Sequence, residues 1–254
     1  MTDPRLSMPG AWAIEAMIAS YNYVYQVTYN STYEDLGAIG VSDYGSAPVA
    51  SFEMEVLAFD NDPLNIQKAI LSYPKLRGKR YVLNVFHPTP SDTGLKFRYN
   101  ALGYDFVQTS PILGRSLPVI THGRLLHVHK VENIDHVNFA NRFLAEHGEH
   151  IPPQTLGEPH IYNYYAQMEH RAVGWAQLVT VYDGVGYINQ MYTSPVFRKR
   201  GIATALLKRV HREAGNMGLR RMALIPSDMS MSLYRRAGYH ALAYLSVFRP
   251  KETK

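Results

Sequence analysis

One segment constrains the fold of this chain more than any other, namely Arg198-Lys199-Arg200-Gly201-Ile202-Ala203-Thr204. The residues before it, from Tyr187 to Thr193, are typical of a strand, and the apolar residues after it recur on one face of a predicted helix. The sequence therefore predicts a strand, a glycine turn and a helix in that order. The first N–H groups of a helix have no partner inside it and lie at the positive end of its dipole, so this junction predicts an anion-binding site.

The spacing of this segment matches neither of the two common nucleotide signatures. It has no G-x-G-x-x-G, and it lacks the Lys-Ser/Thr pair that ends a P-loop. It reads R-x-x-G-x-A, and a second element follows it. This is the strand-like Arg221–Ile225, then Leu233-Tyr234-Arg235-Arg236-Ala237-Gly238-Tyr239.

Together the two elements resemble the GNAT superfamily of acyl-CoA-dependent N-acyltransferases. In that family the phosphate loop has the pattern Gln/Arg-x-x-Gly-x-Gly/Ala, and the later element has the pattern Leu-Tyr-x-x-x-Gly-Phe. The resemblance covers about residues 124–248. It implies an α+β (α/β) fold, a GNAT-like mixed and mostly antiparallel sheet flanked by helices.

The local pattern of the second half agrees with that order of elements. A first strand is predicted from Arg124 to Val131, and Asn133 can cap the helix that follows. Three antiparallel strands and a last strand are then predicted at 162–168, 172–181, 186–193 and 242–249. An opening helix is predicted from Ala11 to Tyr25.

The resemblance also implies where acetyl-CoA, or another acyl-CoA, would bind as the co-substrate. Backbone groups of Met191, Tyr192 and Thr193 would pair with the pantetheine arm. The pyrophosphate would lie against the main-chain N–H groups of residues 199–203, with a hydroxyl added by Thr204. Relatives often carry Asn where this chain has Ser227, which leaves that contact to the co-substrate open.

Tyr234 is the candidate catalytic residue, because its family counterpart points at the sulfur of the co-substrate. A phenol with a pKa of about 10 is protonated at neutral pH and can donate to a departing thiolate whose thiol has a pKa of about 8.5.

The base that the reaction needs is not evident from the sequence. A protonated amine cannot attack a thioester, yet residues 185–197 contain no Asp or Glu. Three alternatives stay open: a water polarised by Asn189 or Tyr187, a carboxylate from the first half such as Glu53 or Glu55, or an amine whose pKa is already low.

The first half repeats this plan faintly. Residues 98–104 mirror residues 233–239, with Tyr99 in the place of Tyr234, and Phe52–Phe59 matches the strand before the phosphate loop. Asp60-Asn61-Asp62-Pro63 replaces the loop itself, and its carboxylates would repel phosphate. The sequence therefore predicts two tandem copies. Residues 1–121 would form a degenerate GNAT-like domain and residues 122–254 the acyl-CoA-binding GNAT domain.

Charge and composition narrow the possible ligands. Residues 1–121 carry 9 Lys and Arg against 11 Asp and Glu, whereas residues 122–254 carry 17 against 10, which favours a polyanionic ligand in the second half. Nucleic acid would also fit this charge, but no helix-turn-helix or aromatic-basic interleaving supports it. His127 and His129 share a strand face without a third ligand, so no metal is expected. No membrane span or signal peptide is evident, which predicts a cytoplasmic protein.

The expected function is transfer of an acetyl group from acetyl-CoA to a primary amine of a small molecule, by direct attack in a ternary complex. The chain has no cysteine and therefore no acyl-cysteine intermediate. Two alternatives remain, a protein or peptide N-acetyltransferase and a non-catalytic CoA-sensing module. The expected partner is thus a small amine acceptor, without membrane or nucleic acid, in a monomer or homodimer.

Overall fold

A computed structural model describes residues 10–45, 52–60, 62–90, 93–118 and 127–251. The helices are α1 (Ala11–Tyr29), α2 (Pro63–Ser72), α3 (Thr93–Ala101), α4 (Ile134–Leu144), α5 (Ile202–Asn216) and α6 (Met231–Arg236). The strands are β1 (Thr32–Asp35), β2 (Ile39–Asp43), β3 (Met54–Ala58), β4 (Tyr81–His87), β5 (Tyr104–Ser116), β6 (Val128–Lys130), β7 (Ile161–Met168), β8 (Arg171–Tyr182), β9 (Val185–Thr193), β10 (Arg221–Leu224) and β11 (His240–Pro250). The chain divides into two compact units.

The first unit is built from three separate stretches, Met1–Ile14, Tyr25–Leu113 and Ala241–Lys254. Strands β1, β2 and β3 pair antiparallel, β4 lies parallel to β3, and β11 lies antiparallel to β4. The last strand of the chain therefore belongs to the first unit. This division differs from the predicted boundary at 121/122, because β11 pairs with β4, which is distant from it in sequence.

Apolar side chains from β2, β3 and β4 form the core of the first unit, together with α2, α3 and β11. Tyr99 and Phe248 are both buried there, with ring centroids 4.7 Å apart. Tyr99, the counterpart of Tyr234 in the predicted repeat, is thus a core residue of its own unit.

The second unit comprises Glu15–Val24 and Gly114–His240. Strands β6, β7, β8 and β9 pair antiparallel in that order, and β10 lies parallel to β9. The predicted antiparallel strands and the mostly antiparallel sheet are confirmed. Residues 124–126 of the predicted first strand lie outside the described residues, and β6 occupies the rest of it.

Helices cover both faces of this sheet. Trp175 on β8 packs with Val137, Ala140 and Leu144 of α4 on one face. Its neighbour Gly174 points to the other face, where α5 packs so closely that a Cβ would lie 3.1 Å from Cγ2 of Ile202 and 2.6 Å from the Tyr192 carbonyl oxygen. Glycine at 174 therefore allows the contact that holds the start of α5 on the sheet.

Candidate active site

The site begins where β9 leaves its parallel neighbour. The register of β9 with β10 ends at the pair Tyr187–Ala223, whereas β9 continues to Thr193. Within the described part of the chain, residues 188–193 thus have no partner strand on that side. An unpaired strand edge can receive an extended ligand by backbone hydrogen bonds, as an added strand would.

A β-bulge lies in the same stretch of β9. Gln177 on β8 faces Gln190, and the next residue, Leu178, faces Ile188, so Asn189 is the extra residue of the bulge. Bulges bend a strand and change the direction of a side chain. The Asn189 amide nitrogen donates to Oε1 of Gln177 at 2.7 Å.

The turn after β9 has an unusual backbone. Lys199 has a φ of 61° and Gly201 a φ of 82°, so two left-handed residues flank Arg200. Gly201 then serves as the N-cap of α5, with no side chain capping the helix. Among the described residues, no acceptor takes the N–H groups of residues 199–204. Such a row of unpaired N–H groups at a helix start forms a concave anion site.

Side chains around this turn add positive charge and an anchor. Arg198 donates from Nε to the Thr193 carbonyl oxygen at 3.3 Å, while Arg200 lies 3.9 Å from Glu169. Lys199 and Thr204 are exposed, and Ile202 is buried against the sheet. Ile202 thus holds the turn against the sheet, and the backbone of the turn faces solvent.

In the predicted repeat, α2 of the first unit corresponds to α5, and the start of α2 has a different set of contacts. Asp62 is the N-cap of α2, and its carboxylate accepts from the Leu64 N–H at 3.0 Å. The Asp62 N–H itself donates to Asp60 at 2.8 Å. Protein carboxylates therefore take donors that α5 leaves free. Asn61 lies outside the described residues.

Tyr234 lies on α6 with 3% of its surface exposed. Its ring meets the ring of Tyr239 edge-on at 5.6 Å, and the Tyr239 hydroxyl lies 2.8 Å from Nε2 of His211. Burial raises the pKa of Tyr234 above the ordinary value of 10.0, so the phenol is protonated at neutral pH. The residue can donate a proton and is a poor base.

A comparison with protein-family models matches residues 128–239 to the acetyltransferase (GNAT) family. Residues 128–239 are a GNAT domain. The match includes β6 to α6 and therefore the unpaired end of β9, the turn at Gly201 and Tyr234. No curated protein matches the sequence significantly.

Solved structures resemble most of the chain and not the GNAT domain alone. A GCN5-related N-acetyltransferase from Kribbella flavida has 17% sequence identity and a TM-score of 0.68, covering 94% of this chain and 96% of that one. A functionally unknown conserved protein from Staphylococcus epidermidis has 13% identity and a TM-score of 0.62, covering 89% and 96%. A GCN5-related N-acetyltransferase from Sphaerobacter thermophilus has 16% identity and a TM-score of 0.58, covering 97% and 96%. Likeness at these identities shows a shared fold.

Two of the residues expected to act on the acceptor make other contacts within their own units. Tyr187 is 1% exposed, and its hydroxyl bonds to Tyr21 and to the backbone of Ile225, so its side chain is part of the core of the GNAT domain. Glu53 belongs to the first unit, where it pairs with Lys79 at 2.8 Å. The hydrogen bond from Lys79 lowers the pKa of Glu53, which makes this carboxylate a weaker base.

Other predicted positions fall within the GNAT domain as expected from the sequence order. Met191, Tyr192 and Thr193 form the unpaired end of β9 and are half-buried. Ser227 is exposed, and its hydroxyl bonds to the hydroxyl of Ser230 at 3.0 Å. An exposed serine hydroxyl at this position can reach a ligand.

Two groups near the site were not found from the sequence. One is the buried pair of His211 and Tyr239 behind Tyr234, and the other is a row of amide side chains that starts at Asn189. A histidine on the inner face of α5 was the only local signal for the first. For the second there was no signal, since it joins three strands.

The described ranges show neither a metal-binding cluster nor a membrane-spanning helix. Those ranges contain no cluster of three or more His, Cys, Asp or Glu arranged to hold a metal ion. His127 and His129 stack with ring centroids 6.4 Å apart, and His129 also stacks on Tyr165 at 5.1 Å. Within the same ranges, every helix is too short or too polar to cross a membrane.

Proposed function

We propose that this chain is an acyl-CoA-dependent N-acyltransferase that transfers acetyl from acetyl-CoA to a primary amine of a small molecule. The observation that carries the proposal is the set of unpartnered N–H groups at residues 199–204, directly after an unpaired strand edge, in a domain of the acetyltransferase family. Both features are backbone features that an extended, doubly negative ligand would satisfy.

Acetyl-CoA would bind along these two features. The pyrophosphate would lie on the N–H groups of residues 199–204, within reach of the exposed charges of Arg198, Lys199 and Arg200. The pantetheine arm would pair with the backbone of Met191 to Thr193. This arrangement points the thioester back along β9, toward Asn189.

The reaction is a direct acyl transfer. The amine nitrogen forms a bond to the thioester carbonyl carbon, and the carbon–sulfur bond breaks. Tyr234 donates its proton to the departing sulfur. The nitrogen loses one proton to solvent, and the phenolate of Tyr234 takes one proton from solvent, which restores the phenol. Burial raises the pKa of Tyr234 and makes the phenol a weaker acid, so it keeps its proton until negative charge develops on the sulfur as the carbon–sulfur bond breaks.

The charge of the second half favours a small acceptor. Residues 122–254 carry 17 basic against 10 acidic residues, which opposes binding of a cationic protein segment. We further propose that the first unit is a degenerate GNAT-like copy without co-substrate, because Asp62 occupies the N-terminus of α2. The matching helix of the GNAT domain has no such cap.

The experiment is a turnover screen of acetyl-CoA and longer acyl-CoAs against a panel of small amines, with CoA binding measured separately by calorimetry. Acetylation of a small amine, together with measurable CoA binding, would support the proposal. CoA binding without turnover on any amine or peptide would favour a sensor. Absence of CoA binding would overturn the assignment.

A further inference from the structure

Buried amide side chains form a line across three strands of the GNAT domain. The Asn189 amide nitrogen donates to Oε1 of Gln177 at 2.7 Å, and Nε2 of Gln177 donates to Oδ1 of Asn163 at 3.0 Å. The Asn163 amide nitrogen donates to Oγ1 of Thr155 at 2.8 Å, and that hydroxyl donates to the Pro152 carbonyl oxygen at 2.6 Å. Gln177, Asn163 and Thr155 are all buried. We call these residues the amide relay.

The chemistry of the far end sets the direction of the relay. A carbonyl oxygen can only accept, so the Thr155 hydroxyl must donate its single hydrogen to Pro152 and accept from Asn163. Asn163 therefore presents its NH₂ group to Thr155 and its oxygen to Gln177. The same reasoning orients Gln177 and then Asn189, which is left with its oxygen free.

That oxygen has no partner. Oδ1 of Asn189 is shielded from solvent, and it makes no hydrogen bond within the described residues. A buried acceptor without a donor is unfavourable, and native structures rarely keep one without a use. The relay thus ends in a hydrogen-bond acceptor that a donor from a ligand or from water would satisfy.

The position of Oδ1 of Asn189 relates this atom to the proposed reaction. Asn189 is the extra residue of the bulge in β9, two residues beyond the last pair with β10 and two residues before Met191. It therefore lies at the start of the unpaired edge that would hold the pantetheine arm. Among the described residues, β9 has no partner strand on that side along this stretch.

We propose that Oδ1 of Asn189 accepts an N–H hydrogen bond from the acceptor amine, and that the amide relay keeps this oxygen turned toward it. The proposal rests on the proposed function. It fits the primary amine of the proposed function, which keeps an N–H for Asn189 while its lone pair faces the thioester. Because Oδ1 of Asn189 is uncharged, it holds the amine without stabilising the ammonium form as a carboxylate would.

The kinetic test acts at the end of the relay that touches no substrate. Thr155→Val removes the hydroxyl that sets the direction, and Thr180→Val on β8 is the matched control. With an amine found in the screen, Thr155→Val should raise KM for the amine about 3- to 10-fold, since a hydrogen bond is lost or misdirected. KM for acetyl-CoA should not change, and Thr155→Ser should restore the original KM.

A double-substitution cycle separates this role from a general loss of packing. Asn189→Ala should raise KM for the amine about 10-fold, and adding Thr155→Val should then have no further effect on KM. Additive effects of the two substitutions would overturn the relay. So would an unchanged KM in Asn189→Ala. If Thr155→Val does not fold, Asn163→Leu replaces it in the same cycle.

A binding measurement keeps the inference separate from the proposed function. Side-chain amide NMR signals of the CoA-saturated protein are followed with methylammonium and with tetramethylammonium, which has the same charge but no N–H. A shift of the Asn189 signal with methylammonium alone supports the site, even if no amine is acetylated. Equal shifts with both ions, or with neither, would overturn it, even if acetyl transfer is shown.

Discussion

Gly201→Ala is the substitution whose effect the structure defines best. Gly201 has a φ of 82°, a conformation that costs an L-residue about 1–2 kcal/mol. A Cβ at this position would meet no atom within 4 Å, so no steric clash adds to this strain. The entire effect should therefore come from the backbone.

The strain must appear in one of two measurable quantities. If the turn keeps its shape, the free energy of unfolding falls by about 1–2 kcal/mol. If the turn relaxes to a negative φ, the unfolding free energy is kept and CoA binding must restore the shape, which raises the CoA dissociation constant about 5- to 30-fold. The two losses should sum to the same total.

Gly215→Ala is the matched control. Gly215 lies in α5, and a Cβ there also meets no atom within 4 Å. Gly215 is the second-last residue of the helix, where alanine should stabilise the helical conformation by up to about 0.5–1 kcal/mol, so the control should shift stability in the opposite direction. Urea unfolding and calorimetry with CoA measure both terms. The reasoning is refuted if Gly201→Ala changes neither quantity or behaves like Gly215→Ala.

Three further outcomes follow from the structure. Tyr234→Phe should lower kcat about 100- to 10,000-fold without changing the CoA dissociation constant, and an unchanged kcat in steady-state assays would remove its role as proton donor. Burial lowers the pKa of His211 to about 4. Since the unfolded chain takes up this proton at higher pH, the unfolding free energy should fall by up to about 3 kcal/mol from pH 6.5 to 4. Urea unfolding should show that slope removed in His211→Phe, and a slope that persists would assign it to another group. Gly174→Ala should destabilise the GNAT domain by about 1–3 kcal/mol, because its Cβ would lie 2.6 Å from the Tyr192 carbonyl oxygen; an unchanged melting temperature would contradict this.

Much of the GNAT domain was predictable from local patterns. The spacing of apolar residues predicts the strands β7, β8 and β9 and the helix α5. Glycine and charged residues mark the turns between the strands. The anion site was predictable for the same reason. A helix start that lacks a capping side chain leaves its N–H groups free, wherever the helix lies in the fold.

The candidate site depends on more than local pattern. The sequence offered Tyr187 as one residue that could polarise a water, and in the structure its hydroxyl bonds to Tyr21 in α1, which is distant in sequence. The bulge that sets Asn189 apart exists only through the register of β9 with β8. Neither fact can be read from the residues around either position.

Sequence alone therefore indicated the order of strand, turn and helix, and the family that the motifs resemble. Tertiary structure alone decided that β11 joins the first unit, that Asp62 closes the start of α2, and that Asn189 ends a relay begun at Pro152. The physical reason is the range of the interactions. Helix ends and turns depend on neighbours in the chain, whereas strand pairing and buried hydrogen bonds depend on which distant groups meet.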